Sequence, residues 1–301
     1  SGSLRYGENP HQSAAFYRLP GHEGFAGMVQ HQGKSLSYNN LADADTAWAL
    51  AQSFRVPAAA AIKHQNPCGV GLALTPEDAF QKAYESDPVS IFGGIVAFNV
   101  PVNARTAEKL VKIFLEVVLA PGYTEEALRI LAQKKNVRVL TMPEKAASRL
   151  QDIRMVAGGF LVQDRDKEIR TWDQFEQVAG PAVDLSQWQE DIAVAWTTVR
   201  FTKSNAIVLA QDGMTVGIGG GQTNRIDAAK QAIERAGKRA SGAVLASDAF
   251  FPFGDVMEEA AAHGIGLVIE PGGSIRDDES IAVAQAQNVP LIFTHERHFR
   301  H

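Results

Sequence analysis

Short apolar runs alternate with amphipathic stretches from one end of the chain to the other, the pattern of strands covered by helices. Apolar positions recur at helical spacing over 42–54, 76–85, 105–115 and 124–133, while 59–62, 95–98 and 137–141 are β-rich runs of strand length. The stretch 164–184 is polar, carries Gly180-Pro181 and lacks a long apolar period, so it is the expected junction, with the linker set at 166–184. Beyond it a helix is predicted over 185–199, then strands over 206–210 and 215–218 around Gln211-Asp212-Gly213-Met214, whose Asp-Gly pair favours a hairpin turn. A glycine run and a helix over 227–236 follow. From 243 the order strand, loop, helix is expected three times, ending at 291–293. The reading is an α/β protein of two units, 4–165 and 185–301, with no residue-level repeat strong enough to prove duplication.

The segment Lys63-His64-Gln65-Asn66-Pro67-Cys68-Gly69 sets a cation and a proton-transfer group side by side. The apolar run 58–62 reads as a buried strand, Pro67 and Gly69 are expected not to extend it, and Thr75-Pro76-Glu77-Asp78 opens a helix. Neighbours on a strand point to opposite faces, so Lys63 and His64 can serve one site only if the chain leaves the pleat between them. The Asn-Pro pair and Gly69 are expected to provide that departure.

Composition narrows the setting. At 301 residues and 45% apolar content, two domains of ordinary size are expected. A net charge of −5 argues against a broad nucleic-acid surface, so basic residues should act singly. Cys68 is the one cysteine, which excludes an internal disulfide or a CxxC metal pair and makes the cytoplasm the default. No apolar run reaches the ~20 residues of a membrane span. Ser1-Gly2-Ser3, without an initiator Met, reads as a cloning scar on a piece of a longer protein.

Each motif carries a chemical and a plainer reading. Lys63-His64 suits a general base beside an electrostatic stabiliser, as in acyl transfer to a weak amine; alone, a surface lysine and a structural histidine are simpler. Cys68 reads as a packed thiol. Gly217-Ile218-Gly219-Gly220-Gly221-Gln222-Thr223-Asn224-Arg225 completes neither GxGxxG nor a P-loop, which leaves a turn bringing Arg225 against a planar ligand or a structural turn. Ser247-Asp248-Ala249-Phe250-Phe251-Pro252-Phe253-Gly254-Asp255 offers aromatics to a heterocycle or a buried plug. Pro271-Gly272-Gly273-Ser274-Ile275-Arg276-Asp277-Asp278 reads as a turn and N-cap, Arg5 to Gln12 as a loop, and Arg297 as part of a fraying tail or a phosphate partner.

In this order, RYGENPHQ, KHQNPCG, FGGIVAFN, APGY, FTKSNAI, GIGGGQTNRID, SDAFFPF, PGGSIRDDE and HFRH closely resemble the transformylase part of the bifunctional AICAR formyltransferase/IMP cyclohydrolase family, over nearly the whole chain. The resemblance implies transfer of formyl from 10-formyltetrahydrofolate to the 5-amino group of AICAR, with His64 as proton acceptor and donor and Lys63 stabilising the transition state. It assigns AICAR to Arg5, Tyr6, Gly93, Glu116, Asn205, Arg225, Phe250 and Arg297, and the folate to Ile226, Asp255, Ser274 and Ile275. It further implies two cytidine-deaminase-like α/β/α subdomains, a homodimer with the site at its interface, an absent N-terminal cyclohydrolase domain, and room for a structural potassium ion. Two positions depart from the family: Glu116 stands where some members have Asp, and Gly254 where Arg is common. The deaminase likeness raises a zinc enzyme as a rival, but the H-x-E and P-C-x-x-C ligand set is absent: Asn66 lies two positions after His64, and Gly71 three after Cys68. A catalytically idle nucleotide-binding module is the alternative of a different class, and an NAD dehydrogenase, lacking its glycine fingerprint, comes third.

Overall fold

The computed structural model describes residues 2–19, 24–143, 151–166 and 169–301; Ser1 of the expected scar and positions 167–168 of the expected linker lie outside them. Strands β1 (Gly2–Ser3) and β2 (Ala15–Phe16) pair across the N-terminal loop. Then come β3 (Val29–Gln32), α1 (Tyr38–Ala51), β4 (Ala58–Lys63), β5 (Asn66–Leu72), α2 (Pro76–Ser86), β6 (Ile95–Phe98), α3 (Ala104–Leu110), β7 (Val117–Ala120), α4 (Glu125–Leu131) and β8 (Arg138–Thr141). A ribbon of β9 (Gln151–Val156) and β10 (Gly159–Asp164) precedes β11 (Glu176–Ala179), which falls inside the 166–184 stretch. After it follow α5 (Gln189–Phe201), β12 (Ile207–Gln211), β13 (Met214–Gly219), α6 (Arg225–Ala236), β14 (Val244–Ser247), α7 (Asp255–Ala262), β15 (Leu267–Glu270), α8 (Asp277–Gln287) and β16 (Leu291–Phe293).

Twelve strands form one mixed sheet in the order β11-β16-β15-β14-β12-β13-β5-β4-β6-β7-β8-β3. Read outward from its centre, each half is an antiparallel hairpin, three mutually parallel strands and an antiparallel edge strand. The helices recur in the same order, so the topology of the first half is repeated in the second. The halves meet where Met214 of β13 pairs with Gly71 of β5.

Period-two alternation assigns the layers. Ala58, Ala60 and Ile62 of β4, with Val208 and Ala210 of β12, face a core under α1 and α5 that crosses both halves. Ala59 and Ala61 face α2 to α4, and Ile207 and Leu209 face α6 to α8, in separate cores on the other side. Glycines let one helix of each half lie directly on its strand. A Cβ at Gly69 or Gly71 would stand 2.1 or 2.3 Å from the carbonyl oxygens of Ala83 or Ala79 on α2. At Gly217 and Gly219 the distance is 2.0 Å to Ala232 and Ala228 on α6. Half of the glycine-rich motif is therefore a packing device.

Three expectations change. Pro67 and Gly69 do not end a strand; both lie within β5 at the sheet's centre. The register slips there, Ala61 facing Gly69 and Ile62 facing Pro67, so Pro67 sits at a bulge where its missing N–H costs least. The third strand-loop-helix unit lacks its helix among the described residues, because 294–300 run as a tail bonded to Asp248 and Ser204. The first helix starts at Tyr38 rather than 42, since Ser37 and Asn40 form a capping box.

One apolar surface has no cover among the described residues. In the ribbon, Met155 pairs with Phe160 and Ile153 with Val162, which places all four on one face. Each of them is more than half exposed. No helix among the described residues is long and apolar enough to cross a membrane.

Candidate active site

The chain does leave the pleat between Lys63 and His64, but not where Asn66-Pro67 and Gly69 suggested. His64 and Gln65 themselves take left-handed backbone, with φ of 53° and 60°, as the two-residue turn of the β4–β5 hairpin. That is the conformation of a type I′ turn, usually written Asn-Gly or Asp-Gly. Two side-chain-bearing residues adopt it here because α1 reaches over to hold them. The Gln65 amide donates to Asp43 Oδ1 at 2.7 Å, and Asn66 Nδ2 donates to the His64 carbonyl at 3.0 Å. Burial pushes the Asp43 carboxyl up; the amides of Gln65 and His64 and the charges of His64 and Lys63 oppose it. Asp43 is a residue the sequence reading missed. It carries no motif, and its acidic neighbour Asp45 looks the same on paper.

The turn sends the two side chains to different surroundings. His64 is exposed at the tip, whereas Lys63 is half-buried and its Nζ donates to the Phe92 carbonyl. Gly93 follows with φ of 71°, and a Cβ there would lie 3.3 Å from Lys63 Nζ, so the bare backbone leaves the ammonium accessible. Gly93 donates to the Phe114 carbonyl at 2.8 Å, and Glu116 donates to the Gly94 carbonyl at 2.9 Å. The C-terminal end of β4 and the N-terminal ends of β6 and β7 thereby bring Lys63, Gly93 and Glu116 to one edge of the sheet. The Glu116 carboxylate is paired there with the buried Arg138 guanidinium.

A second group joins through Asn66, whose Oδ1 accepts the Lys203 amide at 3.3 Å. Next to Lys203, Ser204 donates to Asp248, and Asp248 also accepts the Ala206 amide at 3.2 Å. Arg225 pairs with Asp248 and donates to Ser247 Oγ at 2.9 Å and to Asn205 Oδ1 at 2.7 Å. Arg225 and Asp248 are both buried, so this guanidinium is pinned as well as charged. The C-terminal tail is held rather than frayed. The Ser204 amide donates to the Arg300 carbonyl and the His298 amide to the Asp248 carbonyl, each at 2.9 Å. Arg297, immediately before these anchors, is exposed and lies 4.6 Å over the Phe299 ring.

Two loops at the C-terminal ends of β14 and β15 form the third group. Phe250 is 37% exposed on the first, Phe251 is buried beneath it, and Asp255 opens α7. Ser274 and the wholly exposed Ile275 lie on the second, whose Gly273 and Ser274 amides donate to Asp277 at 2.7 and 2.9 Å. The Arg276 guanidinium lies 4.8 Å over the Phe253 ring and so bridges the loops. Ile226 is half-buried at the start of α6. Arg5 stacks 5.3 Å over Tyr6 on the N-terminal loop, which Asn39 Nδ2 ties to α1 by donating to the Glu8 carbonyl at 3.1 Å. Among the described residues, no hydrogen bond or ion pair joins Arg5, Tyr6 or Arg297 to Lys63 or His64. Cys68 lines a cavity of about 210 Å³ with Arg235 and Arg239. Burial pushes its thiol up to about 12, so it is a packed thiol and no nucleophile.

Residues 1–235 match the family model described as "AICARFT/IMPCHase bienzyme". The chain is 50% identical over 302 residues to the bifunctional purine biosynthesis protein PurH of Lysinibacillus sphaericus, and 52% identical over 302 residues to that of Anoxybacillus flavithermus. In both, the match covers 99% of this chain and 59% of the relative, so the chain spans about three-fifths of the length of these curated proteins. A solved structure of RibD from Acinetobacter baumannii overlaps 31% of this chain and 30% of its own at 15% identity and a TM-score of 0.24, too little to inform the fold.

Proposed function

The chain belongs to the AICARFT/IMPCHase bienzyme family, and from that premise we propose that it transfers the formyl group of 10-formyltetrahydrofolate to the 5-amino group of AICAR. The observation that carries this reading is the His64-Gln65 turn, which exposes the imidazole next in sequence to Lys63, whose ammonium is set against Gly93. The amine of AICAR is a weak nucleophile, because its lone pair is conjugated with the imidazole and carboxamide. His64 takes its proton as the nitrogen attacks the formyl carbon, and Lys63 stabilises the oxyanion that develops there. Collapse breaks the bond to N10 of the folate, which receives the proton from His64, giving formyl-AICAR and tetrahydrofolate. Arg5, Tyr6, Gly93, Glu116, Asn205, Arg225, Phe250 and Arg297 are assigned to AICAR, and Ile226, Asp255, Ser274 and Ile275 to the folate.

Formation of formyl-AICAR from the two substrates by this chain alone tests the proposal. Binding of both without product would replace it with an idle nucleotide-binding module. Ring closure to IMP is assigned to the part of the relatives that this chain does not span. For the potassium ion, the described residues gather no three His, Cys, Asp or Glu side chains, so hydroxyl and carbonyl oxygens would supply most of its ligands. The buried Thr198 hydroxyl, with no partner among the described residues, is one such oxygen. Zinc and NAD have no assigned place in the reaction, and the cytoplasm is the assigned compartment.

We divide the chain into deaminase-like subdomains at 4–165 and 185–301; the repeated strand order supports two units and adds β11, from the stretch between them, to the second. The homodimer with the site at its interface belongs to this reading, and the exposed apolar face of the β9–β10 ribbon is a surface that a second copy would cover, because an isolated two-stranded ribbon is marginally stable. Phe160→Asp with Met155→Asp is expected to convert a sedimenting dimer into a monomer. A wild type already monomeric at micromolar concentration would remove this part of the proposal.

A further inference from the structure

A buried acid joins the two loops assigned above to the aromatic substrates. β15 ends on Glu270, which is fully buried. Its Oε2 accepts the Phe251 amide of the first loop at 3.3 Å and the Gly272 amide of the second at 2.9 Å. One oxygen therefore couples the backbone beside Phe250 to the backbone leading into Ser274 and Ile275. The other oxygen, Oε1, is buried without a hydrogen-bond partner among the described residues. The second loop is closely packed where it leaves Glu270: Gly272 has φ of 70°, and a Cβ there would stand 2.5 Å from the Phe293 ring.

We propose that Glu270 is a positioning residue that sets the spacing of the 248–254 and 271–276 loops and thereby the affinity for the planar formyl donor. This rests on the formyl-transfer reading, in which Asp255, Ser274 and Ile275 meet the folate. The chemistry of the link follows from its surroundings. Burial pushes the carboxyl up to about 8; Asp277 at the start of α8 repels the anion, while the Gly272 and Phe251 amides and Arg225 at the start of α6 favour it. Below about pH 8 the group is the neutral acid, and Oε2 accepts both amides without a buried charge. Above that pH an anion with an unpartnered oxygen is left in an apolar site, which favours opening of the loops to water.

The test is steady-state kinetics of wild type, E270Q and E270A, with AICAR saturating and the formyl donor varied from pH 6.5 to about 9, a range that spans the ionisation. The wild-type KM for the donor is expected to rise as pH passes about 8, with kcat changing less. E270Q, which keeps an acceptor oxygen and cannot ionise, should hold a flat KM across that range. E270A should raise the donor KM by about tenfold at neutral pH, the scale of a lost buried hydrogen-bonded link, and raise the AICAR KM, through Phe250, by less. An equal donor KM in all three proteins at every pH overturns the proposal while leaving formyl transfer intact. If E270A does not fold, the comparison of wild type with E270Q decides alone, and a shared alkaline rise counts against Glu270. A wild type that neither turns over nor binds the donor by calorimetry removes both readings together.

Discussion

His64→Asn is expected to lower kcat for formyl transfer by ~10²- to 10⁴-fold, the usual contribution of a positioned general acid-base group, with AICAR affinity nearly unchanged. The choice of variant follows from the turn. His64 has φ of 53°, and asparagine tolerates left-handed backbone where other side chains are strained. The substitution therefore removes the base and keeps the hairpin, and since His64 is exposed at the tip the core is untouched. Asp43 still receives the Gln65 amide, so Lys63 stays beside Gly93. Lys63→Met in the same assay should cost about 2.7 to 4 kcal/mol of transition-state stabilisation, on the scale of a lost oxyanion donor. Stopped-assay rates at saturating substrates, with AICAR binding measured by calorimetry, separate this outcome from lost affinity. A variant with normal kcat and weakened AICAR binding would make His64 a ligand rather than a base.

Arg225→Met should destabilise the second half by about 3 to 5 kcal/mol, because removing one member of a buried ion pair strands the other. Asp248 is fully buried and accepts from Ser204 and the Ala206 amide as well as from Arg225. Without the guanidinium, two neutral donors face a carboxylate in an apolar setting. The loss should spread to the segment at Asn205 and to the tail, which are bonded to Arg225 and Asp248 respectively. Urea unfolding with an unchanged slope measures it. Asp248→Asn in the Arg225→Met background should recover part of the loss by removing the stranded charge. A single-variant loss under about 1 kcal/mol would mean that the pair is open to water like a surface bridge.

The sequence was legible where local chemistry and tertiary structure agree. Asp212-Gly213 declares its hairpin, and the turn takes left-handed backbone at both residues, φ 54° and 70°. The hairpin at His64-Gln65 has the same backbone and none of the same spelling. Its cause is Asp43, twenty-two positions from Gln65 and on another element, and no local pattern announces a contact of that range. β5 was hidden for a related reason. Pro67 with Asn66 and Gly69 reads as a break, but a bulge accommodates Pro67, and Gly69 and Gly71 are demanded by α2 rather than by a turn. The ribbon and β3 escaped because exposed strands carry little burial pattern, while the buried β7 was passed over between two predicted helices and the half-buried β11 lay in the expected linker. Of the candidate site, Lys63-His64 stood out as a pair of reactive side chains. The ties that assemble their neighbours, Asn66 to Lys203, Arg225 to Asp248 and Glu270 to both loops, are contacts between distant residues and became visible only in three dimensions.

The most direct test of the central claim, that the imidazole at the tip of the β4–β5 hairpin moves the proton in formyl transfer, is turnover by His64→Ala with and without added imidazole. The expected result is a rate far below wild type that climbs with imidazole concentration, since the exposed tip admits the small base. A folded His64→Ala protein that forms formyl-AICAR at the wild-type rate without imidazole would contradict it.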